Sequence, residues 1–323
     1  MSFFGGGTDM EDFFRIHGGA VISTTFDKYC YVTVRHLPRF FDYSTELAYS
    51  KTERVSKAGD IEHPAIRNAM KMLRMEEIRL TYDADLPARS GLGTSSSFAV
   101  GMLNAFYALK GKYADKKKLA DRAIYLERQL CKEAGGWQDQ IAASFGGFNR
   151  INFNTDGTYD VRPLIIFPER KNQLNNNLML FFTGFTRFSS EIQEINKGKE
   201  DKTLQLLEML ALADEAEEVL TNKYADMDDF GILLHETWCL KRRTGKSVTT
   251  DSIDYLYEKG RKAGAIGGKL LGAGGGGFLL FYVPKERQEE VLNAMSECLY
   301  VPFRFEDGGS QIIYYKAEDW SKR

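Results

Sequence analysis

The sequence predicts a mixed α+β protein in two domains, and three observations carry that prediction. The first is length: 323 residues, at roughly 100–200 per domain, suggest two domains with enough chain to bury a sizeable core. The second is patterning, since β-branched and aromatic runs alternate with helical periodicity in both halves. The third is glycine. There are 30, above the usual ~7%, gathered at 5–7, 18–19, 91–93, 135–136, 146–147, 264–268 and 272–277 beside strand-like or helix-like segments. Backbone turns placed in this way shape a site.

Ser2, Phe3 and Phe4 read as the tail of a strand, and a short helix over 10–16 follows the glycines. Residues 20–36, AVISTTFDKYCYVTVRH, predict two strands joined by a tight turn at Asp27 and Lys28. A further strand is expected at 78–83. Over 95–109, Ala99, Met102, Leu103, Phe106 and Leu109 form one helical stripe, with Ser and Thr ahead of it as N-caps. A helix over about 116–131 turns Leu119, Ala123, Leu126 and Leu130 inward. Another starts near Gln138, and 148–153 reads as a strand. Residues 168–177, PERKNQLNNN, are polar and turn-rich, so the domain boundary is placed there, giving 1–168 and 169–323. Beyond it the patterning predicts a strand at 178–183, helices at about 201–222, 226–243 and 252–263, a strand at 278–283, a helix at 285–299 and terminal strands.

Composition excludes several function classes. With 43 Lys plus Arg against 45 Asp plus Glu, no global basic field points to nucleic acid or anionic lipid. Cys30, Cys131, Cys239 and Cys298 lie far apart without CxxC spacing, and the four histidines form no ligand pair. Reduced thiols in a cytoplasm are expected. No run of about 18 apolar residues suggests a membrane span, and the first residues lack the features of a secretory signal.

The sharpest chemical signal is Pro87 to Ser97, PARSGLGTSSS, between a strand and an apolar helix. Gly91 and Gly93 allow close backbone approach, while the free N–H groups and positive dipole of the helix start favour an anion. Thr94, Ser95 and Ser96 add hydroxyls suited to phosphate oxygens or magnesium. A polyphosphate is the natural guest; a flexible turn with a serine cap is the plainer reading. Two other patterns fail. GKS at 245–247 lacks the first glycine and the preceding strand of a Walker A loop. GAGGGG at 272–277 precedes a strand where a dinucleotide fold needs a helix. In ERQLCKEAGGWQDQIAASFGG, Glu127 falls on or beside a buried helical face, where a bound cation would offset the burial of charge. Asp139 follows a double glycine at a helix start, placed to orient or deprotonate a hydroxyl. A salt-bridged helix Glu and a dipole-satisfying Asp are the plainer alternatives.

Together these segments resemble the GHMP kinases. That family's second motif, Pro-x-x-x-Gly-Leu-Gly-Ser-Ser, is matched by Pro87, Gly91, Leu92, Gly93, Thr94 and Ser95, with Thr in place of the first Ser; its glycine-rich third motif matches Gly272 to Gly277. The resemblance implies an N-terminal ribosomal-protein-S5-like domain with a left-handed crossover and a C-terminal ferredoxin-like domain. It implies ATP and Mg2+ as cofactors and 91–96 as the nucleotide phosphate loop, including Ser96. Ser95 and Glu127 become magnesium ligands, Asp139 the catalytic base, and Gly274 to Gly276, Gly275 among them, shapers of the substrate site.

The stretches GGGTD, 18–34 and GGWQDQ are similar to the heptose 7-phosphate kinase branch, in which Asp9 would accept sugar hydroxyls. The implied activity is phosphorylation of the anomeric hydroxyl of a sugar phosphate, a small-molecule partner with no nucleic acid or membrane involved. A kinase for another sugar such as fucose, and a catalytically silent sugar sensor, stand as alternatives. The resemblance also implies a strand with Pro-Leu-Arg ahead of the glycines. Here the chain starts at Met1-Ser2-Phe3-Phe4, so that Arg has no counterpart, and an upstream extension restoring it is expected to raise turnover and stability. For the acceptor's own phosphate, Arg187 among Thr186, Ser189 and Ser190 is the candidate, guanidinium and hydroxyls suiting a dianion. The basic run Lys241, Arg242, Arg243 and Lys246 reads more plainly as a solvated helix end.

Overall fold

A computed structural model describes residues 1–88, 90–184, 202–245 and 247–317 and bears out the mixed α+β architecture. The opening strand β1 (Ser2–Phe4) runs through the glycines into α1 (Glu11–His17), and β2 (Gly19–Ser23) returns antiparallel to β1. The two strands expected over 20–36 form as β2 and β4 (Cys30–His36), with a two-residue β3 (Thr25–Phe26) between them and the break at Asp27 and Lys28, but they are not joined as a hairpin: β2 and β4 lie in different sheets. A hairpin of β5 (Thr45–Ala48) and β6 (Thr52–Val55) and the helix α2 (Pro64–Leu73) follow, none of them singled out by the patterning. β7 (Ile78–Ala84) pairs with β4 and lies parallel to β5, giving the order β4-β7-β5-β6.

Helix α3 (Thr94–Leu109) covers that sheet, burying Phe98, Leu103 and Phe106 with Leu80 and Met70. α4 (Lys116–Ile124) runs into a π-helical turn, Tyr125–Leu130, where one continuous α-helix was expected. α5 (Gln138–Phe145), β8 (Asn149–Phe153) and β9 (Tyr159–Pro163) complete a second sheet, β1-β2-β8-β9.

Residues 168–177 are a correction: this stretch is the helix α6 (Pro168–Asn177), not a run of turns. Pro168 at the first helical position carries the φ a helix needs. Leu174 and Arg170 give it a buried side, and the Arg170 guanidinium donates to the carbonyls of Val219 at 2.5 Å and Ala225 at 2.9 Å. The boundary placed at 168/169 thus falls at the first residue of this helix.

After β10 (Leu178–Phe182) come α7 (Thr203–Thr221), α8 (Asp228–Arg243) and α9 (Asp251–Lys262), each near its expected place. The hairpin β11 (Gly267–Leu270) and β12 (Phe278–Tyr282) follows, then α10 (Gln288–Ala294) and β13 (Leu299–Tyr300). The antiparallel order β11-β12-β10-β13 is the second, third, first and fourth strand of the unit, the ferredoxin-like arrangement. The expected helix over 285–299 is cut to a 3-10 turn and α10. Finally β14 (Phe305–Glu306) returns to pair with β3.

The two halves share a core. Phe3 and Phe4 are fully buried, with ring centroids 5.4 and 5.1 Å from Phe230 on α8. The same cluster includes Leu212, Leu280 and Leu271. Burying an aromatic or leucine side chain contributes about 1.5–3 kcal/mol. The opening glycines, α3 and the glycine loop after β11 are thereby held against one another.

Candidate active site

Two glycine loops interlock at the seam between the halves. Gly91 has φ +82°, and a Cβ there would lie 2.6 Å from the Leu271 carbonyl oxygen. Facing it, a Cβ on Gly272 would lie 2.4 Å from the Gly91 Cα, and one on Gly277 only 2.2 Å from the Ser90 carbonyl oxygen. Any side chain at these positions would force the loops apart. Gly93, φ +71°, caps α3; its Cβ position is 3.3 Å from the Asp139 carboxyl carbon. Leu92 between them leans on the shared core. Ahead of Ser97, whose N–H is bonded to the Gly93 carbonyl, α3 therefore begins with Thr94, an exposed Ser95 and a buried Ser96 beside a carboxylate.

The π-helical turn aims Glu127 at this helix start. π-helical turns recur at functional sites, because the extra residue turns a side chain off the regular stripe. Glu127 is buried and accepts hydrogen bonds from Ser95 Oγ at 3.2 Å, Ser96 Oγ at 2.8 Å and Gln140 Nε2. The next residue faces the other way. Arg128 donates to the carbonyls of Glu133 at 3.1 Å, Ala134 at 3.2 Å and Gly136 at 3.0 Å, fastening the loop that precedes α5.

That loop joins Asp9 to Asp139. The buried Asp9 carboxylate accepts from the N–H groups of Gly7 at 3.0 Å and Gln138 at 3.1 Å, capping α5 from across the chain. Gly136 is obligatory, since a Cβ would sit 1.8 Å from Asp9 Oδ2. Burial raises the Asp9 pKa; the two backbone donors oppose that rise and the charge of Asp139 adds to it. Asp139 is exposed to solvent beside Gly93. Protein crowding there nonetheless raises its pKa by desolvation, against the positive charges of the Met1 amine, Arg128 and Lys241.

Two lysines from the second half complete the surroundings. Lys241, at the end of α8, donates to the carbonyls of Leu270 at 3.4 Å and Gly272. Burial lowers its pKa to about 8, opposed by the charges of Asp9 and Asp139. Lys269 in β11 is buried and donates to the carbonyls of Phe3 at 2.6 Å and Ser2 at 3.2 Å. Burial, with the Lys241 charge, lowers its pKa well below the usual value.

A glycine-bearing helix start, a buried carboxylate beside its serines and an aspartate beside Gly93 thus stand together at the seam. Residues 59–147 match the family model for the GHMP kinases N terminal domain, and residues 212–301 match that for the GHMP kinases C terminal. The chain belongs to the GHMP kinases. It is 29% identical over 303 residues to D-glycero-alpha-D-manno-heptose 7-phosphate kinase of Campylobacter jejuni, covering 90% of this chain and 89% of that protein. Over 227 residues it is 31% identical to L-fucokinase/L-fucose-1-P guanylyltransferase of Bacteroides fragilis, covering 66% of this chain but 23% of that longer protein. A solved D-glycero-D-manno-heptose 1-phosphate kinase from Bacteroides thetaiotaomicron superposes with a TM-score of 0.77 at 26% identity, covering 96% and 94% of the two chains.

This GHMP kinase is an ATP-dependent sugar kinase. Among its described residues no helix is long and apolar enough to cross a membrane. The structure brings Asp9, 91–96, Glu127 and Asp139 together. Gly274 and Gly275 are turned toward the segment between α8 and α9: a Cβ on Gly274 would lie 2.5 Å from the Val248 carbonyl oxygen, and the Gly275 N–H donates to that oxygen at 3.0 Å. Arg187 lies outside the described residues. In the basic run, Arg242 pairs with Asp254 and Arg243 is exposed, but Lys241 turns inward. Lys241, Lys269, Arg128 and Gln140 were not read as site residues from sequence. For Lys269 a signal was present, a lone charge inside the apolar, glycine-rich GGKLLG.

Proposed function

We propose that this GHMP kinase transfers the γ-phosphoryl group of ATP, with Mg2+, to the anomeric hydroxyl of D-glycero-D-manno-heptose 7-phosphate, giving the 1,7-bisphosphate. The observation that carries the reading is that the Asp139 carboxyl group lies beside Gly93 of the proposed phosphate loop, while the neighbouring Gln138 N–H donates to Asp9. A phosphate site, a base and a sugar-facing carboxylate thus lie in a row. The similarity along almost the whole length of the Campylobacter jejuni enzyme supports a heptose phosphate as the acceptor.

In this reading the backbone of 91–96 and the positive end of α3 hold the β- and γ-phosphates. Ser95 and Glu127 suit magnesium: both offer oxygen, they are 3.2 Å apart, and magnesium takes one or two carboxylates with phosphate and water filling the rest. When bound, the ion neutralises charge developing on the phosphates. Asp139 aligns the hydroxyl and receives its proton as the sugar oxygen bonds to phosphorus and the bond to the β-phosphate bridging oxygen breaks. ADP leaves. Its raised pKa brings it nearer to operating pH, where a base is most useful. Asp9 keeps lone pairs beyond those held by Gly7 and Gln138, and these accept sugar hydroxyls. Gly274 and Gly275 shape the second wall, and Arg187 is the proposed grip on the 7-phosphate.

The similarity to the Bacteroides fragilis fucokinase supports a second reading, a free deoxy sugar as acceptor. Steady-state turnover with heptose 7-phosphate, heptose 1-phosphate, free heptose and fucose separates them. The highest kcat/KM is expected on heptose 7-phosphate, with Arg187→Ala losing efficiency on that sugar alone. A preference for the 1-phosphate or for fucose overturns the acceptor assignment, and no turnover on any sugar favours a sensor.

A further inference from the structure

The double glycine ahead of α5 meets two charged side chains, one at each residue. A Cβ on Gly136 would lie 1.8 Å from Asp9 Oδ2, and a Cβ on Gly135, φ +147°, would lie 2.8 Å from Arg128 Nη2. Each glycine thus makes room for a different charge. The chain reverses after the π-helical turn, with Lys132 at φ +57° and the Glu133 N–H donating to the Glu127 carbonyl at 2.9 Å. That reversal brings 133–136 back to the half-buried Arg128. Its guanidinium donates to the carbonyls of Glu133 at 3.1 Å and Ala134 at 3.2 Å through Nη1, and to that of Gly136 at 3.2 Å through Nε and 3.0 Å through Nη2. Among the described residues it forms no ion pair.

Asp9 takes over where this fork ends. The next two N–H groups, of Trp137 and Gln138, donate to the Asp9 carbonyl at 3.2 Å and its carboxylate at 3.1 Å. Residues 132–136 form no helix or strand, and their two glycines have more conformational freedom to lose than other residues would. A planar fork of charged N–H donors is suited to fix such a loop, because several carbonyls are held by one rigid group. We infer that Arg128 is a positioning residue for the acceptor sugar: its hydrogen bonds fix 133–136 so that the start of α5 stays joined to Asp9 and the Asp9 carboxylate is presented to the sugar hydroxyls. It acts through the loop, not on the reacting atoms. This inference rests on the proposed reading of Asp9 as the sugar-facing carboxylate.

The test compares Arg128→Met, Arg128→Lys and Gly135→Ala, with Asp9→Asn alone and combined with Arg128→Met, in steady-state kinetics on the best acceptor sugar and ATP titration calorimetry. Arg128→Met is expected to raise the sugar KM at least about tenfold, with ATP affinity within about threefold of wild type. Arg128→Lys should recover no more than about threefold of that loss, since one ammonium cannot span three carbonyls. Gly135→Ala, which pushes a methyl into the guanidinium, should show the same split, and it decides the matter if Arg128→Met does not fold. In the Asp9→Asn background, Arg128→Met should change the sugar KM less than about threefold. Wild-type sugar KM in both Arg128→Met and Gly135→Ala, full rescue by lysine, or equal effects with and without the Asp9 carboxylate overturn the inference and leave the reading of Asp9 intact. An unchanged sugar KM in Asp9→Asn alone overturns that reading, and the inference with it.

Discussion

Replacing Glu127 by Gln and by Ala separates a metal ligand from a structural acceptor. The carboxylate is 2% exposed and accepts from Ser95, Ser96 and Gln140; among the described residues it forms no ion pair. Glutamine keeps the shape and removes the charge. The serine hydroxyls can rotate, and Gln140 can turn its Oε1, which has no partner, toward the new amide. Each charge-assisted bond, about 1.5–3 kcal/mol, then becomes a neutral one of about 0.5–1.5 kcal/mol. Three such changes cost about 3–4.5 kcal/mol, against relief from burying an unpaired charge, itself several kcal/mol. The net effect of Glu127→Gln on stability is therefore expected within about 2 kcal/mol of zero. Alanine strands the buried Ser96 hydroxyl and Gln140 amide at about 1–3 kcal/mol each, for about 2–6 kcal/mol before any cavity cost. Urea denaturation measures both. In turnover assays, Glu127→Gln should raise the magnesium concentration for half-maximal rate at least about tenfold. Equal destabilisation by Gln and Ala with unchanged magnesium dependence would refute the reasoning and leave Glu127 a structural carboxylate.

Three other outcomes follow from the same geometry. Asp139→Asn should bind ATP within about threefold of wild type by calorimetry and lose at least about a hundredfold in kcat, whereas Gly93→Val, at a positive φ and against Asp139, should lose ATP binding as well. Gly136→Ala pushes a methyl into Asp9 and should raise the KM for the sugar about tenfold or more in steady-state kinetics, with ATP affinity little changed. For Lys269, whose folded pKa is depressed, the linked stability is present above the unfolded value near 10.4 and is lost as pH falls toward the folded one. Wild type minus Lys269→Met should thus gain up to about 1.4 kcal/mol per pH unit between pH 8 and 10 in denaturant titrations; a flat difference would show that Lys269 titrates normally.

What the sequence made legible is what local pattern specifies. The stripe from Ala99 to Leu109, the apolar run at 178–183 and the glycines at 91–93 each carry their own signal, and α3, β10 and the cap of α3 form there. Glu127 was placed on a buried helical face correctly, but the spacing of Leu119, Ala123, Leu126 and Leu130 fits an α-helix, so the π-helical turn was invisible. β11 was hidden because α8 and β12 demand glycine there: a Cβ on Gly267 would lie 1.7 Å from the Gly231 carbonyl oxygen, and one on Gly268 2.4 Å from that of Leu280. Polar α6 lacked an apolar stripe because a buried arginine, Arg170, supplies its tertiary contact. Lys241 obeyed the rule for a helix end in sequence and departed from it through carbonyls 29 and 31 residues away.

The most direct test of the central claim is phosphorus NMR of the product formed from ATP and heptose 7-phosphate, with heptose 1-phosphate and free heptose run in parallel. A new phosphate coupled to the anomeric proton, on a molecule that retains its 7-phosphate, is the expected result. A new phosphate at any other position, or product from heptose 1-phosphate but not from the 7-phosphate, would contradict the account.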